Sequence, residues 1–174
     1  MKLRLVTTLA CMTLVFGACN KKTPTTPTAD PAPKFAVTML PANEVPAVAN
    51  AEASGSGTVT ITFNLTKDLS GNVISPVSAD FSGTFTGFPV GTTLTAAHIH
   101  PGVAGTNGSP LVNLGLAAGE ITFPTGGGAL TKSTIAMTVD QANTIMANPG
   151  AFYFNIHTAA NPGGVARGQL VRTQ

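Results

Sequence analysis

Thr58-Val59-Thr60-Ile61-Thr62-Phe63-Asn64-Leu65 alternates apolar and polar side chains without a break. An extended chain sends successive side chains to opposite faces. Val59, Ile61, Phe63 and Leu65 therefore share one face, and Thr58, Thr60, Thr62 and Asn64 the other. The same period of two returns in Phe35, Val37 and Met39, and in Phe81 and Phe85 set among Ser82, Thr84 and Thr86. It returns again in Ile135, Met137 and Val139, interleaved with Ala136 and Thr138. Strands that bury one face only suit a two-layer antiparallel stack.

Turn chemistry separates these runs. Asp68-Leu69-Ser70-Gly71-Asn72, Gly87-Phe88-Pro89-Val90-Gly91, Pro101-Gly102, Asn107-Gly108 and Gly126-Gly127-Gly128 are loop signals. Their spacing predicts about seven to nine strands arranged as a sandwich. One short helix is predicted over Gln141 to Ala147, with Asp140 as its N-cap and Asn148-Pro149-Gly150 as its stop. It delivers the chain into Ala151 to Thr158, read as a central strand. The domain is thus all-β, an antiparallel β-sandwich with one short helix, over residues 35–174.

The N-terminus reads as an export signal over residues 1–19. Lys2 and Arg4 precede a twelve-residue apolar run, Leu5 to Phe16, too short to serve comfortably as a membrane span. The run ends in Phe16-Gly17-Ala18-Cys19, small residues before a cysteine, which resembles the bacterial lipobox. Phe16 stands where leucine is usual. Cys11 is a competing site, but it would leave only a stub of apolar run. The expectation is a lipid on Cys19, and hence a membrane partner reached through that lipid. Asn20, rather than an aspartate, follows the cysteine; by resemblance to known sorting rules this favours the outer membrane of a diderm cell envelope. One acyl chain binds a bilayer marginally, and the two or three chains of a lipoprotein hold it durably.

Residues 20–34 then read as a disordered tether. Pro24, Pro27, Pro31 and Pro33 lie among Thr, Ala and Lys, with almost no large apolar side chain. Such a segment favours polyproline II and reaches on the order of 45 Å at about 3.1 Å per residue. With Cys11 in the signal and Cys19 acylated, the folded part contains no thiol. Neither a disulfide nor a thiolate metal ligand is available to it. Its core must hold it, and 140 residues from Phe35 to Gln174 are enough to bury one.

The formal charge of +2 misleads about the domain. From Phe35 onward four basic residues face six acidic ones, a net −2. A nucleic-acid partner needs a basic footprint, and this domain has none.

Chemistry concentrates in three histidines. In Ala97-His98-Ile99-His100 both imidazoles fall on one face of a strand, and in Phe152-Tyr153-Phe154-Asn155-Ile156-His157 the third shares a polar face with Tyr153 and Asn155. Residues i and i+2 of a strand lie about 6.5 Å apart, and two imidazoles at that spacing can reach one ion at about 2.0–2.1 Å. If the two strands are neighbours, His98, His100 and His157 converge. They then form either a hydrogen-bonded structural trio or a site for copper or zinc, between which imidazole alone does not choose. Water, Tyr153 or Asn155 is the candidate for a fourth position. Arg167, in a glycine-rich stretch before a last strand from Gln169 to Arg172, reads as an anion or partner contact or as half of a salt bridge to Glu44 or Glu120. A nucleophile elbow, a phosphate loop and a dinucleotide fingerprint are all missing, and Glu44, Glu52 and Glu120 make no recognisable acid–base pair.

Three segments, in order, resemble the CHRD (chordin-type) domain family. Met39-Leu40-Pro41-Ala42-Asn43-Glu44-Val45-Pro46 with Gly57 is similar to its opening motif. Ala96-Ala97-His98-Ile99-His100 with Gly102 and Asn107-Gly108 is similar to its middle motif. Tyr153-Phe154-Asn155-Ile156-His157-Thr158, then Pro162-Gly163-Gly164 and Arg167-Gly168-Gln169-Leu170, is similar to its last. Ala166 and Pro101 depart from the residues most members carry. The resemblance spans residues 35–171 and implies an extracellular β-sandwich, immunoglobulin-like or superoxide-dismutase-like. The growth-factor sequestration of animal chordin does not carry over to a bacterial lipoprotein, since fold alone does not set function. A weaker similarity, His-x-His, a later histidine and Gly-Gly-x-x-Arg, is to copper,zinc superoxide dismutase. The fourth copper histidine, the remaining zinc ligands and the disulfide of that enzyme are missing.

The expectation is therefore a non-enzymatic, membrane-anchored binding or cell-envelope module for an extracytoplasmic protein or small ligand. The alternative is a periplasmic copper- or zinc-binding protein using the three histidines. Glu44 and Arg167, from motifs at opposite ends of the domain, are expected to pair structurally.

Overall fold

The structure, a computed structural model, describes residues 30–174. The signal, Cys19 and most of the tether lie outside the described residues. A compact unit runs from Pro31 to Gln174. Its first strand, β1, spans Lys34–Met39, so the sheet begins one residue before Phe35. The long strands that follow are β2 (Ser56–Lys67), β3 (Val73–Thr86) and β4 (Thr92–Pro101). Two short pieces, β5 (Val112–Asn113) and β6 (Thr122–Phe123), precede β7 (Gly128–Met137). A helix, α1 (Val139–Ala147), leads to β8 (Phe152–Thr158), β9 (Ala166–Gln169) and β10 (Val171–Arg172).

Two sheets result, with every pairing antiparallel. One has the order β10-β1-β2-β3-β7; the other runs β5-β4-β8-β9, with β6 also on β4. The described strands number ten because two-residue pieces extend the edges. Val59, Ile61 and Phe63 of β2 lie fully inside with Phe35, Val37 and Met39 of β1 and Phe81 of β3, as the alternation requires. Opposite them the second sheet presents Ala97, Ile99, Phe154 and Ile156, all fully buried. Phe81 meets Phe154 across the interface, ring centroids 5.5 Å apart. Burying each such side chain stabilises by about 1.5–3 kcal/mol. Among the described residues no helix is long and apolar enough to cross a membrane.

Three local expectations change. Leu65 is only half-buried, because the β2–β3 register shifts between Leu65 and Thr66. In β7 the inward period breaks at Thr134, whose φ of 58° marks a bulge and whose N–H donates to Asp80 Oδ1 at 2.7 Å. Ile135 is consequently half-buried, and Val139 belongs to the helix rather than the strand. The helix cap is Thr138, not Asp140. Thr138 Oγ1 accepts from the Gln141 N–H at 3.1 Å, and Gln141 Oε1 accepts from the Thr138 N–H at 2.8 Å. That reciprocal pair satisfies two otherwise free donors, and Asp140 sits in the first turn, where the helix dipole favours it.

Candidate metal centre

β8 is central in its sheet, hydrogen-bonded to β4 on one side and β9 on the other. All seven of its residues are buried, so both of its faces are covered. Phe154 and Ile156 point into the core, whereas Tyr153, Asn155 and His157 lie on the other face, roofed by loops rather than open to water. The register decides what meets there. His157 stands opposite Ala96, Asn155 opposite His98, and Tyr153 opposite His100. On the far side Arg167 stands opposite Asn155 and Gln169 opposite Tyr153.

The three histidines converge as the neighbouring-strand condition demanded. One ring nitrogen from each lies within 4.8 Å of those of the other two. His98 is half-buried; His100 and His157 are 5% and 7% exposed. Two tautomers follow from the hydrogen bonds. His100 Nδ1 lies 2.9 Å from the Gly108 carbonyl and His157 Nδ1 lies 3.0 Å from the Pro162 carbonyl. A carbonyl only accepts, so both Nδ1 atoms carry the proton and both Nε2 atoms present a lone pair. His98 Nδ1, 3.1 Å from His157 Nε2, then donates to it. His100 Nε2 is buried with no partner. A ring proton anchored on a carbonyl, with the opposite nitrogen facing a shared space, is how metal-binding imidazoles are oriented.

The environment keeps all three rings neutral. Burial, then the neighbouring His157 and His100, pushes His98 down to about 4. His100 is lowered chiefly by burial, with His157 and Arg167 adding to the effect against the Gly108 hydrogen bond. His157 is lowered by burial, opposed by its bond to Pro162. Neutral imidazole is the ligand form, so protons compete weakly for this site at neutral pH.

Around the histidines runs a buried polar layer. The Tyr153 ring stacks on His100, centroids 4.9 Å apart and planes 4° from parallel. Its hydroxyl accepts from the Gly108 N–H at 3.2 Å. Arg167 Cζ lies 4.6 Å above the same Tyr153 ring, a cation–π contact. The guanidinium joins loops from distant parts of the chain. Nε donates to the Asn43 carbonyl at 2.6 Å, and Nη1 donates to the Thr106 carbonyl at 3.1 Å and to Asn107 Oδ1 at 2.8 Å. Backbone bonds in both directions between Leu40 and Arg167 add the end of β1 to the same knot.

Glu44 comes close to Arg167, with Oε2 3.9 Å from Nε and both side chains almost fully enclosed. At that distance the attraction is loose, and burial outweighs it, raising the Glu44 carboxyl to about 7. Glu120, the other candidate partner for Arg167, instead pairs with Lys132 at 2.9 Å near the surface. Sequence reading gave no role to Glu52, Thr158 or Asn161, which form a second buried polar knot. Glu52 Oε2 accepts from Thr158 Oγ1 at 2.7 Å and from Asn161 Nδ2. Gly108 and Pro162, whose carbonyls set two histidine tautomers, were also missed as anchors; only their place in turns was visible. Beside Glu44 and Arg167 a groove of about 720 Å³ opens against Ala36, Thr38, Ala104 and Gly105.

A family model described as the CHRD domain matches residues 35–170. No curated protein and no solved structure matches the chain.

Proposed function

The chain belongs to the CHRD domain family, and from that premise we propose that it is a non-enzymatic binding module outside the cytoplasm, held at the cell envelope by a lipid on Cys19. The apolar run ending in Gly17-Ala18-Cys19 and the proline-rich stretch after it support the anchoring. The groove beside Glu44 and Arg167 is the place for an extracytoplasmic protein segment or small ligand.

A second reading is favoured by one specific observation, the convergence of His98, His100 and His157 with the His100 Nε2 lone pair unpartnered and that of His157 met only by the His98 ring N–H. In this reading the module binds a single copper or zinc ion. An all-imidazole set suits either metal. Isothermal titration with each metal, on wild type and on His98→Ala, tests it. Wild type binds one equivalent, and the variant binds far more weakly. Affinity begins to fall only below the pH at which an ordinary imidazole titrates, because burial holds the ring pKa values below their ordinary 6.5. It then drops toward pH 4. Equal binding by wild type and variant returns the histidines to a structural trio. Elemental analysis of the purified protein checks occupancy directly.

A further inference from the structure

We infer that Asn155 is the fourth donor of the three-histidine site, its Oδ1 completing a closed N3O shell that suits zinc. The inference rests on the metal reading above and goes further, because it says which atom fills the remaining position and what kind of site results.

Placement comes first. Asn155 stands directly opposite His98 in the β4–β8 ladder and two residues from His157 on the same face of β8. Side chains directly opposite have Cβ atoms about 4.5–5.5 Å apart, so its amide lies among the imidazoles. The side chain is 2% exposed, and Oδ1 has no hydrogen-bond partner. A buried carbonyl oxygen left so is destabilising. His100 Nε2, on the same face, is orphaned in the same way. Two acceptors cannot satisfy each other, and a cation serves both; among the described residues the one unmatched buried donor is Arg167 Nη2, on the strand at the other side of Asn155.

The amide's orientation is set from behind. Gly164 has a φ of 137°, and a Cβ there would lie 2.6 Å from Asn155 Nδ2 and 2.7 Å from both Glu44 carboxylate oxygens. The amide nitrogen and the carboxylate therefore flank one spot, and only glycine leaves room for them. With Nδ2 turned to the Glu44 side, Oδ1 is the end left for the histidine row. Gly164 is thus the residue that leaves room for this orientation of the amide. The competing donor on this face, Tyr153, has its ring on His100 and its hydroxyl against the Gly108 N–H.

Three imidazoles and an amide oxygen are four neutral donors. A fourth donor from the protein makes the set closed, whereas catalytic zinc keeps a position for water. Copper(II) prefers tetragonal surroundings.

Cobalt(II) substitution in the full chain tests this, since its visible bands report coordination number. Wild type shows four-coordinate bands that azide does not change. Asn155→Ala keeps cobalt but takes up azide with a visible shift, and its zinc affinity falls at least about tenfold. Asn155→Asp, which keeps an oxygen at the position, stays silent to azide. Wild-type cobalt protein that responds to azide overturns the role of Asn155 while leaving the three-histidine reading intact, and that test needs no variant to fold. An Asn155→Ala protein matching wild type in both readouts overturns it too. Wild type binding neither cobalt nor zinc more tightly than His98→Ala overturns the metal reading itself, and this inference with it.

Discussion

Arg167 and Glu44 show how the sequence expectation of a pair becomes asymmetric in three dimensions. Arg167 keeps three strong acceptors besides Glu44, whereas the Glu44 carboxylate has only the distant guanidinium, and its Oε1 has no partner. Arg167→Gln should therefore cost about 3–5 kcal/mol, since it also strands the carboxylate, and Glu44→Gln should cost less. A double-mutant cycle in denaturant measures both and their coupling; zero coupling would dissolve the pair. The pH dependence has a definite sign. The folded pKa of Glu44 is raised from 4.5 to about 7, so its contribution is present below pH 4.5 and lost as pH rises toward 7. The histidines act oppositely: their folded pKa values are lowered from 6.5, His98 to about 4, so their contribution is present above 6.5 and lost on acidification. Wild-type melting curves mix the two trends. The difference between wild type and Glu44→Gln isolates the first, and should shrink the loss of stability between pH 5 and 8. A difference that stays constant over that range contradicts the raised pKa.

Among the elements, β9 passes close against β1 at Gly168. A Cβ at Gly168 would sit 2.0 Å from the Thr38 carbonyl oxygen and 2.9 Å from Val37 Cγ1. The two sheets are tied at this corner, where Arg167 also bonds Leu40. Gly168→Ala should force the strands apart at a cost of about 3 kcal/mol or more, the upper end for overpacking. Thr138→Ala, which removes half of a capping box at the surface, should cost about 1 kcal/mol. Thermal melts of the two variants rank them, and equal losses would refute the tight corner. The contrast reflects what each side chain meets: backbone that cannot yield in one case, water that can substitute in the other.

For the whole molecule, the anchoring reading concerns residues beyond the described part and is tested in cells. Cys19→Ala should shift the protein from the membrane to the soluble fraction, or stall its processing. Mature Cys19→Ala protein that still sediments with membranes would refute lipidation. The two-sheet architecture, the central strand and the short helix were legible in sequence because side-chain alternation and turn residues are local properties. Val59, Ile61 and Phe63 announce their face wherever the strand ends up. The histidine pattern was legible as two candidate strand faces, because i and i+2 share a side in any strand.

What sequence could not specify was register and cover. A slip of two residues between β4 and β8 would keep every face and still move the rows past each other, and no local signal excludes it. Only the assembled sheet places Asn155 opposite His98, and only the loops folded over it bring the Gly108 and Pro162 carbonyls to the imidazoles. Burial follows from the same assembly. Glu44 acquires a carboxyl raised to about 7, and the histidines become neutral, through desolvation by residues far away in the chain. The sequence by itself determined the kinds of strand, their faces of burial and the chemical groups on offer, since these depend on neighbours along the chain. The tertiary structure alone decided which groups meet, in what protonation state and at what distance, because those depend on contacts between residues widely separated in sequence.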